Sequence, residues 1–350
     1  MPLVSTKDIL GSCSDGRYAV GAFNINGLDQ PRALIEAAER LKSPILVVEP
    51  GVIEPYVDFV DFALVTRRAA EAAGVPVGIH LSHAGDLEQF ERACKAGFTS
   101  VMYDGSKLPY EENVANTRTA VEIGRKHGCA VEGELGALGS SFANISESMT
   151  DPALAKDFVQ KTGVDILAVA IGNAHGFYKG KPSLDFKRLE EIRYALMPQD
   201  CYLTLHGGTG IPEDHIRRSI EMGIVKICIY TEMCAQGKAK AKEYIAEHPD
   251  YEGNADIPEM IRALTGGYVD AEEDCIRMFM SNNKVSRLDT YAPFKPLACG
   301  SQGAACPPGN AGTVASGGAA ANSDPGPDYP SADAVNKSAG TIGVFWNNNV

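Results

Sequence analysis

The sequence predicts an α/β fold, a TIM (β/α)8 barrel, on three observations. Short apolar and β-branched runs recur along the chain, segments of helical periodicity lie between them, and the alternation continues through eight cycles. The strand-like runs are 18–23 (YAVGAF), 44–48 (PILVV), 75–81 (VPVGIHL), 98–103 (FTSVMY), 129–135 (CAVEGEL), 165–171 (DILAVAI), 201–206 (CYLTLH) and 224–230 (IVKICIY). Amphipathic segments occupy 29–42, 61–73, 86–96, 111–127, 152–162, 186–196 and 212–222. A doubly wound open sheet is the competing architecture. From about residue 231 the pattern turns helical, through TEMCAQGKAKAKEYIAEH and then 257–265 and 270–281, which completes the last barrel helix and adds a C-terminal helical extension. After Leu297 the composition shifts to Gly, Ala, Pro, Ser and Asn, too poor in apolar groups to build a core. The expected organisation is therefore a barrel over 1–297 and a mobile, low-complexity tail over 298–350, whose final IGVFWNNNV is apolar enough to dock elsewhere.

Bulk properties exclude some classes of function. With 44% apolar and 22% charged residues, and no apolar run near the ~18 residues that span a bilayer, a membrane protein is not expected. A net charge of −13 argues against nucleic acid as the main partner, because that binding rests on Lys and Arg neutralising phosphates. A small-molecule substrate remains, and a local basic pocket for one phosphate is compatible with the charge. Nine cysteines, odd in number and without C-x-x-C spacing, suggest reduced thiols. MPLVSTKDIL has neither a basic nor an apolar signal region, so the cytoplasm is the expected location.

Chemistry-bearing residues collect at the expected strand ends, which in a barrel converge on one mouth. His83 in HLSHAGD follows the third strand, His175 in AIGNAHGFYKG follows the sixth, and His206 in LHGGTG ends the seventh. Any one of them alone reads as a structural histidine. Together, three neutral imidazoles that leave one position open form the arrangement of a catalytic zinc site. Asp104 and Glu134 share such addresses, and either ligate a second metal or hold a histidine's other nitrogen in the ligating tautomer. Glu132, one strand period before Glu134, points the same way into the barrel. HGFYKG (175–180) and HGGTG (206–210) place glycines beside the histidines; with Thr209, Lys179 and Thr231 as donors they suggest a cradle for phosphate or carboxylate.

Several longer stretches then resemble a known family. AFNIN (22–26), SVMYDGSKLPYEENV (100–114), VEGELGALG (131–139), LAVAIGNAHGFYKGKPSLDF (167–186) and LHGGTGIPEDHIRRSI (205–220) are similar to signatures of the class II, metal-dependent ketose-bisphosphate aldolases, from STKDIL to roughly residue 285. The resemblance implies Zn2+ on His83, His175 and His206, and a second cation position, divalent or monovalent, involving Asp104 and Glu134. It further implies a phosphate site using Asn24, Gly176, Lys179, Gly207 and Thr209, a homodimer or homotetramer, and carbon–carbon cleavage of a sugar-phosphate-like carbonyl substrate through a zinc-stabilised enediolate.

The departures from the family pattern cluster on the reactive positions. The family's HLDH is HLSH here, so Ser82 stands where an aspartate exchanges a proton with substrate, and a serine cannot do so near neutrality without a base beside it. Phe142 replaces a loop glutamate, Cys228 an asparagine on strand eight, Tyr230 a small or acidic residue, and Pro50 a small hydroxyl residue. The metal- and anion-holding set survives while the proton-shuttling set does not. This pattern favours an active lyase with altered substrate or reaction, its acid–base work carried by Tyr230, Cys228, Glu49 or Glu147, with Ser82 and Glu134 as the other catalytic candidates. Tyr230 equally reads as bulk that shrinks the pocket. The alternatives are a zinc-assisted isomerase or epimerase on a sugar phosphate, and a non-catalytic metal- or ligand-binding homologue.

Overall fold

The structure, a computed structural model, describes residues 3–136, 149–178, 180, 182–250, 253–285 and 291–295. Helix α1 (Thr6–Gly16) precedes eight parallel strands: β1 (Val20–Asn24), β2 (Ile45–Pro50), β3 (Val77–Ala84), β4 (Ser100–Tyr103), β5 (Ala130–Leu135), β6 (Ile166–Val169), β7 (Tyr202–Leu205) and β8 (Ile224–Ile229). They close as a barrel in sequence order, β8 pairing back on β1 with Ala22 level with Cys228. Helices α2 (Gln30–Arg40), α3 (Phe59–Ala72), α4 (Leu87–Ala96), α5 (Tyr110–His127), α6 (Pro152–Thr162), α7 (Phe186–Leu196), α8 (Glu213–Glu221) and α9 (Thr231–Glu247) alternate with the strands, and α10 (Asp256–Met278) follows. The barrel fold and its helical extension are those expected; the segment 298–350 lies outside the described residues.

Strand alternation divides the core in two. Val20, Ala22, Leu46, Val48, Ala130, Ile166 and Cys228 face the barrel axis, closed below by Ile9, Leu10 and Cys13 of α1. The alternate residues, such as Phe23, Val47, Ile79, Val131 and Leu167, pack under the surrounding helices. Aspartates start several of these helices after the loops that leave the mouth: Asp58 accepts from the amides of Val60 and Asp61, Asp86 from Gln89, Asp151 from Ala153 and Leu154, and Asp185 from Arg188. Caps of this kind stabilise a helix by ~1 kcal/mol each and fix where each mouth loop ends.

The boundaries differ from the sequence reading in informative ways. Most strands begin one or two residues later than the apolar runs, because Tyr18, Ala19, Phe98 and Cys129 are already buried in the turns beneath the barrel. Strand β3 runs on through Ala84, so Ser82 and His83 lie within it and not after it, and its register with β4 slips between Leu81 and Ala84. Thr231 opens α9 and does not end β8. The two helices expected over 257–265 and 270–281 are one helix of 23 residues. Its Gly-Gly pair marks a close crossing instead of a break: a Cβ on Gly267 would sit 2.5 Å from the carbonyl carbon and oxygen of Gln236 in α9. Among the described residues, no helix is long and apolar enough to cross a membrane.

Candidate metal centre at the barrel mouth

The ends of β3, β6 and β7 bring three imidazoles together. Ring centroids lie 5.0 Å apart for His83 and His175, 4.8 Å for His83 and His206, and 6.1 Å for His175 and His206. One nitrogen from each falls within 4.8 Å of the others, and a second grouping of the same kind joins His83 to Asp104 and Glu134. Two of the rings have one nitrogen already engaged. His83 Nδ1 is 2.9 Å from Asp104 Oδ2 and 3.9 Å from Glu134 Oε2, which leaves Nε2. His206 Nε2 is 2.6 Å from Glu132 Oε1, which leaves Nδ1. A carboxylate on the far nitrogen of a ligating histidine fixes its tautomer and raises its basicity, so this donor set fits a zinc ion.

Local backbone structure sets these positions. His83 adopts φ 56°, a left-handed conformation unfavourable for a residue with a Cβ, at the point where the β3–β4 register slips. His175 and His206 are tied through their loops. The Asn173 side-chain amide donates to the carbonyls of Val169 (3.2 Å) and His206 (3.0 Å) while accepting from the Ile171 amide at 2.8 Å. The Tyr178 hydroxyl accepts from the Ala174 amide at 2.8 Å and donates to the Gly207 carbonyl at 3.2 Å. Gly207 itself is required: it sits at φ 64°, and a Cβ there would lie 2.2 Å from the Ala174 carbonyl oxygen.

Electrostatics separate the three rings. Burial pulls His83 below the usual imidazole range against the pull of Asp104, and burial with the neighbouring His83 and His206 brings His175 down to about 3. Both therefore present neutral nitrogens. Burial also opposes a charge on His206, but Cys228 and Glu132 outweigh it and push that ring up to about 10, so a metal ion there must displace a proton. The Glu132 carboxyl stays well below its usual range despite burial, held by Lys226 and His206. The Asp104 carboxyl is likewise held low against burial by His83.

The other residues singled out from sequence fall around this centre. Ser82 is level with Pro50 on the inward face. Cys228 Sγ is 3.6 Å from His206 Nε2, and its thiol is lowered by His206 and Lys226 against burial. Asn24 donates to the Ile229 carbonyl at 3.0 Å, tying β1 to β8. Thr209 Oγ accepts from the Glu232 amide in the first turn of α9, next to Thr231, and Gly176 adopts φ 87°. The Tyr230 hydroxyl donates to Asn26 Oδ1 at 2.8 Å, and Asn26 in turn donates to the Tyr268 hydroxyl at 2.6 Å. Burial and the nearby Cys234 push the Tyr230 phenol up to about 12. Glu49 is level with Leu81 on the helix-facing side of β2, away from the inward Ser82. Lys179, Phe142 and Glu147 lie outside the described residues. The sequence reading passed over Asn173 and Tyr178, and also Lys226 and His80 on the barrel axis. A lysine inside the apolar run IVKICIY was the one visible signal of the latter pair.

Comparison with known proteins identifies relatives of the chain. The chain is 41% identical over 257 residues to the Bacillus subtilis (strain 168) protein named "Probable fructose-bisphosphate aldolase", covering 71% of this chain and 89% of that one. The crystal structure of the YdjI aldolase from Escherichia coli K12 matches with TM-score 0.70 and 30% identity, covering 81% of this chain and 100% of the other. The fructose-bisphosphate aldolase of Campylobacter jejuni shares the fold at TM-score 0.70 and 22% identity, over 81% and 97% of the two chains. Residues 4–284 match the family described as "Fructose-bisphosphate aldolase class-II", and the chain belongs to that family.

Proposed function

We propose that the protein is a metal-dependent aldolase-type lyase acting on a phosphorylated ketose or related carbonyl compound, with acid–base residues different from those of its relatives and hence an altered substrate or reaction. The observation that carries this reading is the meeting of His83, His175 and His206, each with a nitrogen within 4.8 Å of the others, at the open end of the barrel. Zinc bound there would supply Lewis acidity toward a carbonyl oxygen and stabilise the negative charge that develops on it.

The chain's own groups do the rest. Asp104 keeps the proton of His83 on Nδ1, so that ring turns an unprotonated Nε2 to the mouth, while Glu132 holds a proton on His206 Nε2 and leaves Nδ1 as the nitrogen that gives up its proton when a metal binds. The backbone amides at Gly176 and Gly207, the start of α9 at Thr231 and the hydroxyl of Thr209 gather donors suited to a phosphate; Lys179 would add a cation. Proton movement is where this site differs. Ser82 needs a base beside it. Cys228, lowered by His206 and Lys226, is the better-placed group for holding or releasing a proton at its sulfur. Tyr230, its hydroxyl already donated to Asn26, serves as a wall of the mouth. Glu134, buried beside His83, completes the acidic side.

The test is aldehyde release from ketose bisphosphates by the zinc-loaded and the chelator-treated protein. Cleavage that disappears with the metal supports the reading. Proton exchange without fragmentation, followed by NMR in deuterated water, would replace it with an isomerase, and a protein inert in both assays would replace it with a binding homologue.

A further inference from the structure

Below the metal centre, the barrel axis carries a column of polar side chains in an otherwise apolar interior. Lys226 Nζ donates to Glu132 Oε2 at 2.6 Å and to His80 Nε2 at 3.0 Å. His80 Nδ1 is 2.8 Å from Ser100 Oγ, and Ser100 also accepts from Thr6 Oγ1 of α1 at 2.9 Å. The side chains of Lys226 and Glu132 are wholly buried, at 0% exposure each. Glu132 divides its two oxygens, Oε2 to Lys226 and Oε1 to His206 Nε2 at 2.6 Å.

A pair of charges at this depth is a poor device for stability alone, since each ion loses its hydration and an apolar pair of similar volume often does as well or better. Its geometry, in contrast, does something an apolar pair cannot. Two groups hold the carboxylate from opposite ends, so its plane cannot turn without losing a charged partner, and the imidazole on its other oxygen is aimed by it. The neighbouring Cys228 sulfur meets the same ring nitrogen at 3.6 Å, a looser hold than the 2.6 Å carboxylate contact.

We propose that Lys226 is a positioning residue of the metal centre: its buried ammonium fixes the Glu132 carboxylate, and through it the tautomer and ring orientation with which His206 faces the metal. The lysine reaches His206 only by way of its neighbours, chiefly Glu132, and stands on the strand whose other inward residue is Cys228. The inference rests on the zinc reading of the three histidines. His80 completes the arrangement from below: its Nε2 accepts from Lys226, so its proton stands on Nδ1 toward Ser100, and burial together with Lys226 holds this ring neutral.

The experiment is a double-mutant cycle on metal affinity, using Lys226→Met, Glu132→Gln and both together. Zinc affinity is measured by competition with a chelator, the visible absorption of the cobalt-substituted protein reports ligand geometry, and the melting midpoint of the metal-free protein reports the fold. Lys226→Met is expected to weaken zinc binding by roughly 10- to 100-fold and to shift the cobalt bands. In the Glu132→Gln background the same change is expected to alter affinity less than about twofold, because its route to His206 is already cut. The double variant leaves no unpaired buried charge, so it keeps the cycle readable if Lys226→Met folds poorly. Additive losses would overturn the route through Glu132. A lowered melting midpoint with zinc affinity and cobalt spectrum unchanged would reduce Lys226 to a structural residue. A wild-type protein that takes up no zinc would overturn the function proposed above instead, and is seen before any variant is made.

Discussion

The two sides of the barrel mouth are built to different rules. On the β6–β7 side, His175, His206, Gly176 and Gly207 follow the pattern of the family, and the backbone beneath them is riveted by Asn173 and Tyr178. On the β2–β3 side and along β8, Pro50, Ser82, Cys228 and Tyr230 are the positions where the sequence departs from the pattern that the resemblance implies. On the function proposed above, the difference teaches that holding a metal and an anion would constrain backbone and side chains together, while a proton donor would be a replaceable fitting on that frame. The largest expected effect tests the frame. His206→Ala or His83→Ala should lose the bound zinc equivalent, measured by metal analysis, and reduce turnover to background. A full equivalent of zinc in either variant would break the comparison at its firmer end.

A smaller effect separates rivet from ligand. Tyr178→Phe removes one hydroxyl that bridges the two ligand-bearing loops without touching the imidazoles. A net loss of ~1 kcal/mol is expected, about fivefold in zinc affinity by chelator competition, with stoichiometry unchanged. On the other side of the mouth the expected effects are smaller still. Tyr230→Phe keeps the bulk and removes the hydroxyl, so a wall predicts a change in kcat within about threefold, where a proton donor would predict a loss of 10²-fold or more. Ser82→Asp is expected to leave bisphosphate cleavage near the wild-type rate, since Cys228 and Pro50 still line the same side. Ordinary cleavage restored by that single change would show that the two sides are not independent.

What the sequence made legible follows from the same division. His83, His175 and His206 share an address, the C-terminal ends of strands, and a barrel turns that address into proximity. Glu132 was readable as inward from its spacing to Glu134. The left-handed backbone of His83 was not, because it arises from a register slip against β4 that local propensity does not encode. Lys226 was hidden by its own context: a single lysine in IVKICIY looks like an interruption until β5 places a carboxylate opposite it across the axis. The α9–α10 crossing misled for a related reason. A Gly-Gly pair usually ends a helix, and here the space left by Gly267 is taken by the backbone of α9, while Gly266 faces open space. In each case the missing information was the identity of the partner across the fold.

Glu49 offers the finest test, on the side where the family pattern is looser. Both its carboxylate oxygens are buried without a hydrogen-bond partner among the described residues, on the helix-facing side of β2. Burial, with Glu54 and Asp58 nearby, pushes its carboxyl up to about 9, so it is neutral in the folded chain at neutral pH and ionised in the unfolded one. The sign follows from linkage. A folded value above the unfolded one means that the contribution is complete below the usual carboxylate range and is lost as pH rises toward about 9. Glu49→Gln removes the titration while keeping the shape. Near pH 5 its melting midpoint should lie close to the wild type, and near pH 8.5 it should exceed it by several degrees, since the wild type loses ~1.4 kcal/mol per pH unit over most of that interval. Parallel curves across that range would mean that water or another group reaches Glu49, and the buried edge of β2 would then be as open to protons as the mouth above it.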